Sequence, residues 1–284
     1  MKKLCVNYLS EVRELLEEGK IDFINYLKLF SLNGDLSPFD WCVNQKEVMF
    51  HGFAGHGGSN IADLNFFENR DFELQKDYYK RGNTPYISLH INRGSDDGNS
   101  EEECKKTIAK NIKEIRKIFD MRIILENVPA SESRAYNKFF SMPEFISEVV
   151  RENNCGFLFD IGHARKAAET LNIPFEEYAN RLPMDRCVEM HLAGVMIKKD
   201  GLIAPNHSKM HEEDYEFVKN ALKKYPSIEV ITLEYGPFVL NDLIEECPMV
   251  NYENINLVAK AEVYDQLLRL KEIIENYEQW EMHF

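Results

Sequence analysis

The sequence lacks the features that would place it in several large classes of protein. No stretch reaches the roughly 18 consecutive apolar residues that a membrane-spanning helix requires. The first residues, MKKLCVNYLSEVRELLEEG, have no apolar segment of the kind found in signal peptides. The six cysteines form no CxxC pair, so they predict reduced, structural thiols. We therefore expect a cytoplasmic protein with no membrane partner.

Basic charge is also scarce. Aspartate and glutamate together number 48 against 34 lysines and arginines, which gives a formal net charge of −14 at pH 7. An acidic surface repels a phosphate backbone, so no nucleic-acid partner is expected. The first apolar run is not followed by a Gly-rich phosphate-binding loop, which disfavours an open doubly wound sheet.

The sequence does contain short apolar runs that alternate with amphipathic, helix-like stretches. Eight such runs in 284 residues predict an α/β fold, a (β/α)8 TIM barrel that forms a single domain over residues 1–284. The predicted strands are Leu4–Leu9, Asp22–Phe30, Glu47–Gly52, Tyr86–Ile91, Arg122–Val128, Gly156–Ile161, Cys187–Leu192 and Glu229–Tyr235. Helices are predicted between them, for example over Glu101–Phe119 and His211–Tyr225.

Six of these runs carry a side chain that can bind a metal ion at or near their last residue. These residues are His51, His90, Glu126, Asp160, His191 and Glu234. In a closed parallel barrel the carboxyl ends of the strands face one mouth, so the six side chains are expected to converge there. A catalytic zinc takes only three protein ligands, so this larger set of imidazoles and carboxylates predicts two or three metal ions.

Two further residues extend the predicted ligand shell. His163 follows Asp160 by three residues in the motif DIGH, and His207 lies in NHSKM, on the predicted loop after the seventh strand. Each residue taken alone has an ordinary alternative as a core, loop or ion-pair residue. The repetition of such residues at equivalent strand ends favours a metal site.

The remaining candidates concern substrate and catalysis. His56, in a Gly-rich loop, and Asn127, next to Glu126, are predicted to bind substrate. The alternatives are that His56 faces solvent and that Asn127 braces the neighbouring carboxylate. The predicted catalytic residues are Glu126, Asp160, His191 and Glu234.

The motifs taken together resemble a known enzyme family. FHG, SLHI, LENVP, FDIGHA, EMHLAG, NHSKM and LEYG occur in this order between about residues 47 and 236. They are similar to the motifs of the multinuclear non-haem iron-dependent oxidative enzymes, which include the methanobactin-biosynthesis oxidases and lie within the xylose-isomerase-like TIM barrels. The resemblance implies a barrel with two or three iron ions that uses O2 to modify a peptide, often at cysteine. The implied iron ligands are His51, His90, Glu126, Asp160, His163, His191, His207 and Glu234.

The resemblance also implies partners and leaves some points open. Many members of that family work with a separate peptide-recognition protein, so this partner is implied beside the peptide substrate. Family members often have Asp shortly before the histidine that matches His207, and this chain has Asn206 there. A missing carboxylate leaves open two irons rather than three, or another metal such as zinc or manganese.

Two other functional classes stay open at this stage. The same superfamily includes metal-dependent sugar isomerases and endonuclease-IV-like phosphodiesterases. Isomerisation requires a lysine or a second carboxylate to move a proton, and no strand-end lysine is evident. The acidic net charge disfavours binding to DNA. A non-catalytic metal-binding barrel explains the ligands but not their convergence at an open mouth.

Overall fold

The computed structural model describes residues 1–30, 37–53, 60–94, 100–130, 138–197, 203–236 and 252–281. His56, for which a substrate role is predicted, lies outside the described residues.

The described residues contain a central sheet of eight parallel strands. Its order is β3-β2-β1-β10-β7-β6-β5-β4, with β8 and β9 in a separate hairpin. The strands are β1 (Lys3–Asn7), β2 (Tyr26–Phe30), β3 (Glu47–His51), β4 (Tyr86–His90), β5 (Arg122–Glu126), β6 (Gly156–Asp160), β7 (Cys187–Leu192), β8 (Gly194–Ile197), β9 (Ile203–Ser208) and β10 (Val230–Leu233). The predicted (β/α)8 barrel is confirmed, whereas its extent over residues 1–284 stays a prediction.

The barrel closes where β3 meets β4. Within the described residues no hydrogen-bonded ladder joins these two strands. Side-chain hydroxyls link them instead: Thr84 Oγ1 donates to the carbonyl oxygen of Val48 at 2.7 Å, and Ser88 Oγ donates to that of Phe50 at 3.1 Å. The closure places the last residues of β3 and β4 side by side, with the His51 and His90 ring centroids 4.6 Å apart.

Helices surround the sheet. They are α1 (Ser10–Glu17), α2 (Phe39–Val43), α3 (Phe72–Gly82), α4 (Glu101–Ile118), α5 (Pro143–Glu152), α6 (Ile161–Leu171), α7 (Phe175–Arg181), α8 (Glu212–Lys224) and α9 (Tyr252–Glu281). The long α9 packs between α8 and α1, and Lys260 of α9 forms ion pairs with Glu14 and Glu18 of α1, both at 2.7 Å. None of the described helices is long and apolar enough to cross a membrane.

The barrel interior is layered. An apolar floor at the amino-terminal half of the strands includes Cys5, Met49, Ile124, Leu158 and Val230. The larger apolar core lies between the sheet and the helices. The five described cysteines are buried and none forms a disulfide. This arrangement leaves the inner positions above the floor for polar side chains, because alternate residues of a strand face the same side.

The β8–β9 hairpin differs from the sequence-based prediction. His207 was predicted on a loop after the seventh strand, but it lies in β9, which pairs with β8 as an antiparallel hairpin. The turn into this hairpin requires glycine at residue 194, since a Cβ atom there would lie 1.9 Å from the carbonyl oxygen of Lys209. The hairpin therefore brings His207 back over the barrel mouth, near Glu234.

Candidate metal centre

The parallel register explains why the strand-end side chains meet. His90 of β4 is level with Glu126 of β5, and Asp160 of β6 is level with His191 of β7. Glu234 follows β10 directly and is 1% exposed. Because the strands end at one height, their last inward-facing residues surround a single space. The structure thus brings together side chains that lie as far apart in sequence as His51 and Glu234.

Glu126 lies at the centre of this group and is 1% exposed. Its Oε2 atom is 3.3 Å from His51 Nε2 and 3.5 Å from His90 Nε2. Its Oε1 atom is 3.4 Å from His163 Nδ1 and 3.6 Å from His191 Nδ1. Each oxygen therefore faces a different pair of imidazoles, which is the arrangement of a carboxylate that bridges two metal ions.

Seven of the eight predicted ligands fall into three groups that could each hold an ion. Within each group the candidate ligand atoms lie within 4.8 Å of one another. The groups are His51, His90 and Glu126; His51, His191 and Glu234; and Glu126, Asp160 and His163. Glu126 and His51 each belong to two groups, so adjacent ions would share ligands.

His207 stands apart from these three groups. Its Nδ1 atom is 3.7 Å from Glu234 Oε2, and its side chain is 35% exposed. Its backbone has a φ of 56°, in the left-handed region that costs a non-glycine residue free energy. A strained backbone conformation persists only where contacts of the surrounding structure hold the residue in position. The geometry is compatible with a ligand at the rim, and that role stays a prediction.

Four buried atoms of the site test whether a metal fits. Glu126 Oε1, His191 Nδ1, His207 Nδ1 and Glu234 Oε1 have no hydrogen-bond partner among the described residues. Buried polar atoms are nearly always satisfied, because leaving them unpaired costs free energy. Metal ions would satisfy all four. A set of imidazole nitrogens and carboxylate oxygens without thiolate suits iron, manganese or zinc.

Asp160 also has a structural role. It is the N-cap of α6, where its Oδ1 atom accepts a hydrogen bond from the backbone N–H of His163 at 2.6 Å. His163 in turn places its Nδ1 atom 2.9 Å from the carbonyl oxygen of Asn127. The same Nδ1 atom also faces Glu126 Oε1 at 3.4 Å, so a metal bound at Nδ1 would take the place of its contact with the carbonyl.

Asn127 braces this part of the site. Its side-chain amide donates to the carbonyl oxygen of Asp160 at 2.9 Å and accepts from the backbone N–H of Asp160 at 2.8 Å. The side chain is fully buried. These contacts are those of a residue that positions Asp160 and His163, and the predicted substrate contact of Asn127 stays untested.

The carboxylates and imidazoles shift one another's pKa. Burial alone would raise the pKa of Glu126, but the positive charges of His90, His51 and His191 outweigh burial and hold it well below its usual value. Burial lowers the pKa of His51, and the neighbouring Glu126 carboxylate, which acts to raise this pKa, does not outweigh burial. For His90 the same carboxylate outweighs burial, and the pKa is raised.

His191 is the most strongly affected imidazole. Burial would lower its pKa, yet Glu234, Glu189 and Glu126 together raise it well above the usual value. Conversely, burial would raise the pKa of Glu234, and His191 lowers it. The carboxylates of the site therefore favour the protonated forms of His191 and His90 when no metal neutralises them.

Sequence reasoning missed two functional candidates beneath the ligands. Lys28 of β2 and Glu189 of β7 are fully buried inside the barrel, with Lys28 Nζ 2.7 Å from Glu189 Oε1. Each stands in an apolar run, YLKLF and CVEMH, at a position two residues from another inward-facing side chain. Residues two apart in a strand face the same side of the sheet, so this spacing could have indicated that Lys28 and Glu189 point into the barrel.

Comparison with known proteins identifies the family. The family model described as RiPP precursor modification enzyme MbnB/TglH/ChrH matches residues 76–247, more than half of the chain. The chain belongs to this family. RiPPs are ribosomally made and post-translationally modified peptides, so the family description implies a precursor peptide as substrate. The matched range contains all the predicted ligands except His51.

Curated relatives carry only a family label. A UPF0276 protein from Anaeromyxobacter sp. (strain Fw109-5) is 25% identical over 212 residues, which cover 70% of this chain and 72% of the relative. One from Shewanella loihica is 27% identical over 218 residues, with 69% of this chain and 74% of the relative covered. Alignment with a UPF0276 protein from Vibrio parahaemolyticus is 29% identical but spans only 34% of either chain.

Solved structures agree on the fold. A xylose isomerase domain containing protein from Salmonella typhimurium LT2 has a TM-score of 0.60 at 14% identity, with 96% of this chain and 97% of that chain covered. A xylose isomerase domain protein from Planctomyces limnophilus has a TM-score of 0.57 at 11% identity, with 98% of each chain covered. At these identities the likeness shows the barrel fold and nothing about the reaction.

The dual role of Asp160 predicts different outcomes for two substitutions in this family member. Asp160→Ala should weaken metal binding and also lower the free energy of unfolding by about 1 kcal/mol, because the N-cap of α6 is lost. Asp160→Asn should weaken metal binding alone, since asparagine also caps helices. Metal content and urea unfolding of the metal-free proteins measure the two effects. Equal unfolding free energies for both variants would contradict the capping role.

The raised pKa values of His191 and His90 predict that metal binding releases protons. A ligand imidazole must be neutral, whereas the raised pKa values favour the protonated form of both rings in the metal-free site. We therefore expect metal binding to release protons, and an affinity that rises with pH. Calorimetry of Zn²⁺ binding in phosphate and Tris buffers measures the release. An affinity independent of pH between about 6 and 8 would be inconsistent with protonated ligand rings.

Proposed function

We propose that this chain is a multinuclear iron-dependent enzyme that uses O2 to modify a RiPP precursor peptide, with cysteine as the residue that is oxidised. One observation carries the multinuclear part of the proposal. The two oxygens of Glu126 face different imidazole pairs, His51 with His90 and His163 with His191, at 3.3–3.6 Å. Family membership supports the peptide substrate.

Different side chains of the site would hold the two metal ions. His51 and His90 would hold one ion with Glu126 Oε2, while Asp160 and His163 would hold a second with Glu126 Oε1. Iron supplies one-electron chemistry that couples thiol oxidation to O2 reduction. The carboxylate oxygens of Glu126 and Glu234 favour the higher oxidation state, because hard oxygen donors stabilise higher charge.

His191 and Glu234 extend the same centre. Their side chains are in contact, with Nδ1 3.0 Å from Oε1, and both are buried. They would complete a second position or hold a third ion, with His207 at the exposed rim. Asn206 stands where many family members have an aspartate, and for this reason we place two ions rather than three in the tightly bound set.

The substrate thiol comes from outside the chain in this proposal. The five described cysteines are buried, and burial raises the pKa of Cys155, for example, to about 11. A thiol with so high a pKa is a poor nucleophile and metal ligand. We further propose that a separate recognition protein presents the peptide at the barrel mouth, and that the single-domain enzyme works in the cytoplasm.

Sugar isomerisation receives no support from a lysine at the mouth among the described residues. That reaction needs a group to move a proton between substrate carbons. Lys28 is the lysine inside the described barrel, but its side chain is fully buried and engaged by Glu189. It therefore does not reach a substrate at the mouth.

The test begins with anaerobic purification and measurement of metal content. We expect about two iron ions per chain after reconstitution with Fe²⁺, and Mössbauer spectra with at least two iron environments. The iron-loaded protein is then mixed with O2 and candidate Cys-containing precursor peptides, and the mass of each peptide is followed. A matched peptide with Cys→Ser should remain unchanged.

Two results would count against the proposal. A protein that binds only zinc tightly, and that gains no activity after iron reconstitution, would contradict the choice of metal. A mass change of equal size in the Cys→Ser peptide would contradict cysteine as the oxidised residue while leaving the metal centre intact.

A further inference from the structure

A second polar layer lies directly beneath the candidate metal ligands. Glu189 of β7 is its centre and is fully buried. Its Oε1 atom accepts from Lys28 Nζ at 2.7 Å and from Thr232 Oγ1 at 2.5 Å, and its Oε2 atom accepts from the hydroxyl of Tyr86 at 3.1 Å. A fourth partner is His191, whose Nε2 atom is 3.1 Å from Oε1.

The ring of His191 connects this layer to the ligands above it. Its Nδ1 atom faces three carboxylates of the site, Glu234 Oε1 at 3.0 Å, Glu126 Oε1 at 3.6 Å and Asp160 Oδ2 at 3.9 Å. Its Nε2 atom faces the opposite way, toward Glu189 and Lys28. Only Nδ1 can therefore bind a metal in this site.

Binding through Nδ1 requires the ring proton to sit on Nε2. The two neighbours of Nε2 favour opposite tautomers. Lys28 can only donate a hydrogen bond, so contact with it favours an unprotonated Nε2 and leaves the proton on Nδ1, where it blocks the metal. Glu189 can only accept when ionised, so it draws the proton to Nε2.

We propose that Glu189 is a positioning residue that makes His191 a metal ligand through Nδ1, and that Lys28 is present to neutralise Glu189 rather than to bind His191. This inference rests on the proposed metal centre. A histidine ligand whose other nitrogen donates to a carboxylate is a recurrent way to fix a metal site. Here that carboxylate is in the barrel interior, and a buried ammonium balances its charge.

Two substitutions should change metal affinity in opposite directions. Glu189→Gln removes the charged acceptor, and we expect Zn²⁺ to bind about 10–100-fold more weakly. Lys28→Met removes the competing donor, so we expect Zn²⁺ to bind at least as tightly as to the wild type. A merely structural role for the pair would weaken binding in both variants. Tyr86→Phe is the matched control, because it removes one hydrogen bond to Glu189 without touching His191, and its affinity should stay within about 3-fold of wild type.

A direct measurement needs no substitution in the pair. In Zn²⁺-loaded wild-type protein with ¹⁵N-labelled histidine, the two-bond ¹H–¹⁵N spectrum reports which ring nitrogen carries the proton. The signal of His191 is assigned by its loss in His191→Gln. We expect a proton on Nε2 and a metal-bound Nδ1. This measurement shows which nitrogen of His191 carries the proton even if Glu189→Gln does not fold.

Three results would overturn the inference, and they are distinguishable. A proton on Nδ1 of His191 in the zinc-loaded protein would contradict the tautomer. Wild-type affinity in folded Glu189→Gln would contradict the role of Glu189, although the metal centre would stand. A wild-type protein that binds neither Zn²⁺ nor Fe²⁺ would overturn the proposed function itself, and this inference with it.

Discussion

Glu126→Ala should remove more than one metal ion from each chain. Both oxygens of Glu126 face imidazoles at 3.3–3.6 Å, so a single substitution removes a ligand from two positions. Tight binding by about four protein ligands is worth roughly 10–16 kcal/mol in zinc proteins, which is about 2.5–4 kcal/mol for each ligand. The expected loss in affinity is therefore about 10²–10³-fold at each position.

Two other variants separate bridging from simple ligation. Glu126→Gln keeps one oxygen and should retain a single weakly bound ion. His90→Ala removes a ligand that belongs to only one of the three groups and should leave the other ion in place. Metal content after dialysis and calorimetric titration with Zn²⁺ measure both effects. Loss of the same single ion in Glu126→Ala and His90→Ala would exclude the bridge.

Folding of the Glu126 variants is checked by circular dichroism of the metal-free proteins. The barrel is expected to persist, because Glu126 Oε1 has no hydrogen-bond partner among the described residues and the apolar floor lies elsewhere. A folded, metal-depleted Glu126→Ala protein is thus the expected product.

The barrel and the meeting of the ligands could be predicted from the sequence for one reason. Strands that are buried on both faces read as apolar runs, and each run shows where its strand ends. The predicted seventh strand, Cys187–Leu192, coincides with β7. The second was predicted from Asp22 but begins at Tyr26, because apolar residues before a strand also pack against the core.

The parts that could not be predicted depend on tertiary closure. A lone lysine in YLKLF is typical of a solvent-facing strand position, and only a closed barrel turns Lys28 inward. The β8–β9 hairpin was missed because its strands carry little apolar periodicity. The cap formed by Asp160 was missed because the same residue already had an interpretation as a ligand. The sequence pattern around Asp160 indicated a metal ligand and did not separately indicate a helix cap.

Lys28→Met is expected to destabilise the protein by about 3–5 kcal/mol, the usual cost of leaving one partner of a buried ion pair uncompensated. Both side chains of the Lys28–Glu189 pair are fully buried. Methionine nearly matches lysine in length, so little of the loss would come from a cavity. Urea unfolding of the metal-free protein measures the change. The matched control is Lys76→Met, which breaks an ion pair of the same 2.7 Å separation on the exposed surface, where the expected cost is below about 1 kcal/mol.

The pH dependence follows from the pKa shifts of the pair. Burial would raise the pKa of Glu189, but Lys28 and His191 lower it to about 2 from a usual 4.5. Its charged form therefore stabilises the wild type above pH 4.5, and this contribution is lost as pH falls toward 2. The pKa of Lys28 is raised from 10.5, because Glu189 and Glu234 outweigh its burial, so its contribution is full below pH 10.5 and lost above the folded value.

Acidification should change the contribution of Glu189 to stability in opposite directions in Lys28→Met and in the wild type. Without Lys28, the largest influence that lowers the pKa of Glu189 is lost and only His191 still opposes burial, so we expect this pKa to rise and a proton taken up on acidification to remove the uncompensated charge. The stability difference between Lys28→Met and wild type should then shrink as pH falls from 8 toward about 5. The double variant Lys28→Met/Glu189→Gln should recover most of the lost stability at pH 8, because it removes both charges of this buried pair. A double variant as unstable as Lys28→Met would mean that packing around Lys28, rather than its charge, holds this layer together.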